Sequence, residues 1–514
     1  MHAPVSSRAN AAAAPHRAGA HMRYRALVWA LAASACAPTA WAHEAAEAAP
    51  PYTAPAATDA ARAPAPIPPT PVTFEQARDW LYARSDQLAA ANEAIESARL
   101  RREGMQRLGG PSVAFTGLGY AYSTNVDLDL DPARRALGGA VGQLPTQVGG
   151  AVGQLPSLPN SYNLQRKDEN ATASLSVVWP LYVGGFSDAV RGELDALTDE
   201  ALADAAGNRH ALASLLVQRY FGAQLAERAA QLHERALDAV REHDAAAQGL
   251  LDAGMISQVE RLQAQAALAD ARHQARQARD AAELAATALA RSLKAHDGVQ
   301  PASPLFVHSR PLPPLAQFIE AAQRQHPGLD KVQAKKRQAE FLHEAQEALR
   351  RPQVLAFGSH EVNTVGKPNW VAGVAVRWSL WDSIDRNTLA RASLHKVAQA
   401  ERSHDQALSD IALLVEKNWL DVEHARGQYL AQQTREDLAR EVLRLRTAGL
   451  REGTSTTLEL IDAQLDLARV QTQRAATANQ YVQALAALLE STGQSEQFPQ
   501  YLAQADILIS PRAP

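Results

Sequence analysis

The chain has 514 residues, 5% of them aromatic, a formal net charge of −4 and a single cysteine, Cys36. These figures exclude an internal disulfide and a basic nucleic-acid footprint, and the excess of helix-forming Ala, Leu, Gln, Glu and Arg is that of a long-helix protein. The length allows two or three ordinary domains or one large repeated architecture.

Residues 1–42 read as an upstream extension and a signal peptide. From Met22 the sequence "MRYRALVWALAASACAPTAWA" gives a basic start at Arg23 and Arg25 and an apolar core from Ala26 to Ala37. Ala40-Trp41-Ala42 then supplies a small-x-small cleavage site. Cleavage after Ala42 is expected. The rival is a lipoprotein signal ending at Cys36, against which Ala33 stands three positions earlier. The apolar run is shorter than the ~20 residues of a spanning helix.

Residues 43–72 form a Pro/Ala-rich linker, with prolines crowded from Pro50 to Pro71. A first repeat is expected over 73–296, opening on "FEQARDWL" at Phe74. Strands follow near 112–124 and 170–182, joined by a loop from Asn125 to Glu169 that holds "GGAVGQLP" twice, from Gly138 and from Gly149. A helix of some 60 residues runs from Phe186 to Gln248, turns at Gly249 to Gly254 and returns as a second helix. There Ala264, Ala271, Ala278 and Ala285 alternate with Leu268, Ala275, Ala282 and Leu289 in a close-packing seam. Its arginines Arg272, Arg276 and Arg279 are read as turned to water.

A second Pro-rich linker occupies 297–316. A second repeat is expected over 317–495, with "FIEAAQRQ" at Phe318, strands near 353–364 and 370–381 around a tight turn at "VGKPN", and a hairpin tip from Ala448 to Gly453. A tail follows at 496–514. One register carries the duplication: Trp179 matches Trp378 and Gly254 matches Gly453, 378 − 179 and 453 − 254 both being 199, and Glu260 and Leu289 match Glu459 and Leu488 at the same offset.

The strands alternate. Ala171, Ala173, Leu175, Val177, Trp179 and Leu181 share one face in the first repeat, and Ala372, Val374, Val376, Trp378 and Leu380 in the second. About 9–11 such residues suffice for a transmembrane β-strand, and aromatics at the strand ends suit an interfacial girdle. The competing reading is a soluble sheet packed on a helix. Four strands cannot close a barrel and an open edge is not tolerated in lipid, so the protomer is expected to oligomerise.

The duplicated helix-strand-strand-helix plan, "VVWPLYVGGF", and the paired "AGMISQVERLQAQAALADA" and "EGTSTTLELIDAQLDLARV" resemble the TolC family of outer membrane factors, from Thr73 to Gln494. The resemblance implies an α+β membrane protein in the cell outer membrane: a homotrimer with a 12-stranded β-barrel and a 12-helix tunnel in the periplasm. It also implies a periplasmic adaptor and an inner-membrane ABC or proton-driven transporter as partners. By that resemblance Gly254, Ser257, Gly453, Ser455 and Thr456 sit at the adaptor-contacting tips. Glu459 and Asp462 fall where the family's carboxylates ring the constriction, and Glu260 on the acidic position of the first tip. A family tyrosine and arginine that tie the closed gate are replaced here by Leu450 and Ser455, leaving Arg451 or Arg446 as substitutes.

Catalysis is not expected, because His343-Glu344 and His360-Glu361 lack ligand partners at metal spacing and no nucleophile or phosphate-loop motif occurs; no cofactor or metal is implied. The function expected is a passive export duct, read as type I protein (toxin) secretion. The alternatives are the outer membrane component of a multidrug efflux pump and, further off, a periplasmic coiled-coil scaffold.

Overall fold

A computed structural model describes residues 69–509 apart from 133–134, 136–160, 297, 363–368 and 382. The cleavage residues Ala40 and Ala42, Cys36, both "GGAVGQLP" copies and the "VGKP" of the second turn lie outside the described residues.

The first half runs β1 (Thr70–Val72), α1 (Phe74–Arg84), α2 (Asp86–Gly104), β2 (Ser112–Asp129), β3 (Ser161–Tyr182), α3 (Phe186–Asp252) and α4 (Gln258–Ser292). After the short strands β4 (Val299–Pro301) and β5 (Leu305–Val307) come α5 (Leu315–Gln325), α6 (Pro327–Ala348), β6 (Gln353–Glu361), β7 (Trp370–Arg377), α7 (Arg386–Arg451) and α8 (Thr457–Ser491). A 3₁₀ turn, α9 (Phe498–Gln504) and β8 (Ile507–Ile509) close the described chain.

Helix ends fix the repeat register. The ends of α4 and α8 differ by 457 − 258 = 199 and 491 − 292 = 199, whereas those of α1 and α5 differ by 315 − 74 = 241 and 325 − 84 = 241. The surplus, 241 − 199 = 42 residues, lies in the first strand hairpin. Phe74 therefore corresponds to Leu315, three residues before the match at Phe318 suggested by the "FEQARDWL" likeness. The cause is local: each helix begins at its own start signal, Thr73 capping α1 through Gln76 and Pro314 preceding α5.

At 67 and 66 residues, α3 and α7 each span about 100 Å at 1.5 Å per residue. They run past the expected tips: Gly249 and Ala448 are inside helix, and the turns begin only at Ala253 and Glu452. The seam of α4 buries Ala264, Leu268, Ala271 and Ala275 against Leu237, Val240 and Ala247 of α3, with Ile461 of α8 joining. Arg279 is not simply solvated; it pairs with Glu234 and, at 3.5 Å, with Glu227 on α3.

The main core gathers where the long helices meet the small strands. Phe74, Tyr220, Phe221, Phe306, Tyr481 and Phe498 pack there with centroid separations of 4.9–6.3 Å. The buried Tyr220 hydroxyl donates to the Val72 carbonyl at 2.7 Å and accepts from the Ala302 and Ser303 amides at 3.0 and 2.8 Å. This one side chain ties β1 to the chain after β4, and β1 pairs with β4 in parallel.

The sheet has the antiparallel order β2-β3-β6-β7, with β2 and β7 as edges. The pairs Phe115↔Leu175, Val177↔Gly358 and Ala356↔Val374 put Val113, Phe115, Leu175, Val177, Ala356, Val374 and Val376 on one face, while Leu118, Tyr120, Val178 and Phe357 lie on the other. The first hairpin continues past the expected loop start, from Ala121↔Glu169 to Asp129↔Ser161, so part of the 125–169 segment is paired strand. Trp378, expected within the last strand, instead follows β7 and donates its indole N–H to the Arg350 carbonyl at 3.2 Å.

Candidate functional site

The two helix-hairpin tips are built alike. Gly254 and Gly453 take φ of +69° and +76°, the left-handed region in which glycine is not penalised. Around each, paired amides return to the departing helix: Gly254 to the Leu251 carbonyl and Met255 to Leu250, both at 2.8 Å, then Gly453 to Leu450 at 3.3 Å and Thr454 to Gly449 at 2.8 Å. These bonds close the helix C-terminus in a Schellman arrangement. The next helix starts at once, Ser257 and Thr456 each serving as an N-cap in a reciprocal capping box.

The other half of each box is a residue singled out in the sequence. Glu260 accepts from the Ser257 amide at 2.8 Å, and Glu459 from the Thr456 amide at 3.0 Å. Glu459 is also paired with Arg446 at 3.1 Å, both side chains being 42% exposed. Ser455 donates its amide to the Gly449 carbonyl at 3.2 Å, and the Leu450 carbonyl receives Gly453.

Asp462 stands apart from Glu459 despite the three-residue spacing. It is exposed and lines a groove with His233 of α3, Gln274 of α4 and Arg469 of α8, while Glu459 is directed at Arg446 of α7. The tips thus present Asp462 uncommitted to a capping role, and Glu260 and Glu459 partly committed.

Two charged clusters of the hairpins were not singled out from sequence. In the first, Arg261 of α4 grips Asp244 of α3 with both guanidinium arms, and its Nε donates to Gln248 at 2.7 Å. In the second, buried Glu436 of α7 receives Arg440, Gln471 and Arg474, while Arg474 also lies 4.7 Å over the Tyr429 ring. Burial alone would raise the Glu436 carboxyl; the bonds from Arg474 and Gln471 and the charges of Arg440 and Arg474 hold it below the usual glutamate range. A signal existed for the first cluster: at the offset of 199, Arg261 and Asp244 correspond to Leu460 and Leu443, a paired change from ionic to apolar.

On the first tip Met255, Val259 and Leu262 form an apolar, exposed row. Among the described residues no His, Cys, Asp or Glu group is placed to hold a metal ion, and no helix is long and apolar enough to cross a membrane.

The profile of the outer membrane efflux protein family matches residues 318–494, from α5 to the end of α8. The second repeat belongs to this family. Family members are outer membrane channels rather than enzymes, which agrees with the outer membrane localisation expected from the sequence. A search of curated proteins finds no significant match. Among solved structures, the outer-membrane channel OprN is 17% identical with a TM-score of 0.64, covering 82% of this chain and 90% of its own. The Campylobacter jejuni CmeC outer membrane channel is 14% identical with a TM-score of 0.66, covering 84% and 88%. CusC, described for transmembrane channel formation, is 14% identical with a TM-score of 0.67, covering 86% and 98%. The efflux-family fold therefore extends over both repeats, and the resemblance to the TolC family read from the sequence is upheld at the level of fold.

Proposed function

We propose that the chain is the outer membrane duct of a three-part export machine, a passive channel fed by an inner-membrane transporter through a periplasmic adaptor. The observation that carries this reading is the open four-stranded sheet, unpaired at β2 and β7, set on helices about 100 Å long. Three copies would turn four strands into twelve and pair every edge, the condition lipid imposes on a β-structure. The hairpin tips at Gly254 and Gly453, with Ser257, Ser455 and Thr456, would then meet the adaptor. Asp462, Glu459 and Glu260 would set the charge of the narrowed entrance. Fractionation of cells expressing the full chain tests the assembly: a heat-modifiable trimer in the outer membrane is expected, and recovery as a soluble periplasmic monomer would sink the proposal.

The cargo reading drawn from sequence is protein secretion through an ABC transporter, resting on the poor lipidation context of Cys36. The likeness of residues 318–494 to the outer membrane efflux protein family supports a second reading, drug efflux by a proton-driven pump. Deletion separates them: loss of one protein from the culture supernatant marks secretion, and sensitisation to small toxic compounds marks efflux.

A further inference from the structure

Where helices give way to strands, the turn from α2 to β2 and the turn from β3 to α3 enclose a cavity of about 750 Å³. Three arginines line it, Arg107, Arg191 and Arg351, against one carboxylate, Asp188. Arg191 is the neutralised one: Nη1 meets Asp188 at 3.1 Å, Nη2 donates to the Leu108 carbonyl at 3.0 Å, and Nε is buried without a partner. Arg351 donates to the Gly184 carbonyl at 2.8 Å, and neither it nor Arg107 has a carboxylate within ion-pair distance among the described residues. The lining therefore carries an excess of two positive charges with no counterion from the chain.

The same lining is partly greasy. Leu181 and Tyr182, the last residues of β3, line the same cavity while remaining 50% and 47% exposed, next to Trp179 at the end of the apolar sheet face. One cavity thus joins a guanidinium wall to an aromatic and aliphatic mouth at the level where the lipid-facing surface ends. A planar guanidinium matches a phosphate group bidentately, and basic pockets beside membrane-spanning segments take anionic headgroups.

We propose that this cavity binds a phosphate ester, supplied by an acidic phospholipid at the rim of the bilayer, with Arg107 and Arg351 as its ligands and Leu181 and Tyr182 against its acyl chains. The assignment uses the family's membrane location and is independent of the gate and of the cargo.

The test takes the full-length protein, delipidated in detergent, and reads bound lipid by native mass spectrometry with phosphatidylglycerol, phosphatidylcholine and inorganic phosphate as probes. Wild type is expected to hold phosphatidylglycerol over phosphatidylcholine by on the order of tenfold, as two unneutralised arginines imply. Inorganic phosphate should displace the lipid. Arg107→Gln, at an exposed side chain that makes no hydrogen bond or ion pair among the described residues, should lose much of the preference; Arg107→Gln with Arg351→Gln should abolish it, and Arg351→Lys should retain it. Equal retention of the two lipids by wild type, or an undiminished preference in Arg107→Gln and the double variant, would overturn the site. Saturable phosphate binding without lipid retention would overturn the lipid as its source.

Discussion

Arg261 and Asp244 close the first helix hairpin as a two-armed ion pair, their side chains only 8% and 14% exposed, at the level where the second hairpin has Leu460 and Leu443. The repeats thus solve one packing problem by different chemistry. Asp244→Ala would leave the Arg261 charge buried and unpaired, a loss of about 3 kcal/mol for such a site. Asp244→Leu with Arg261→Leu copies the second repeat and should recover most of that loss. Hydrogen exchange of amides next to the first tip reads both, and equal protection in the single and double variants would contradict the argument.

Glu436 gives the second hairpin a pH dependence of known sign. Its carboxyl is held below the ordinary value, about 4.3, so the stability it contributes is fully present above that value and is lost as pH falls through the lower folded one. Wild type should therefore lose more stability than Glu436→Gln on acidification below about pH 4.3, and be the more stable of the two at neutral pH. Parallel melting curves across that range would rule out the assignment.

The tips were legible in the sequence because their signals are local: a glycine where the helix must stop, a capping hydroxyl residue three positions later, and a glutamate three beyond that. The faces of β3 and β7 were legible for the same reason, each following from two-residue alternation. The extent of β2 and β3 was not. Thr124–Asp129 and Ser161–Glu169 are rich in polar residues, and only the ladder between them makes them strand. The separation of Glu459 from Asp462 was equally hidden, because a spacing of three fixes a helix face but not which neighbour, Arg446 or the groove beside His233, each carboxylate meets.

Gly254 and Gly453 allow the backbone contribution to be measured by itself, since a Cβ at either would meet nothing within 4 Å. Alanine at each should cost about 1 kcal/mol through the left-handed backbone alone, without a packing clash. Exchange protection confined to the altered tip is the expected readout. No change at either tip would mean the turn relaxes to another conformation.

The gate proposal makes its own ranking of residues. Glu459 is shared with Arg446 at 3.1 Å and occupied by the Thr456 amide, whereas Asp462 has neither commitment. In a symmetric assembly Asp462 should therefore carry most of the cation preference. Asp462→Asn is expected to lower the cation-to-anion permeability ratio more than Glu459→Gln, a change that retains the capping box because glutamine also closes it. Arg446→Ala should act in the opposite direction, freeing the Glu459 charge and raising the ratio by about twofold, the scale of an exposed ion pair. Reversal potentials in planar bilayers under a salt gradient decide the order. A larger effect from Glu459→Gln than from Asp462→Asn, or none from Arg446→Ala, would mean that the carboxylates at the tips cap helices and do not set the charge of the passage.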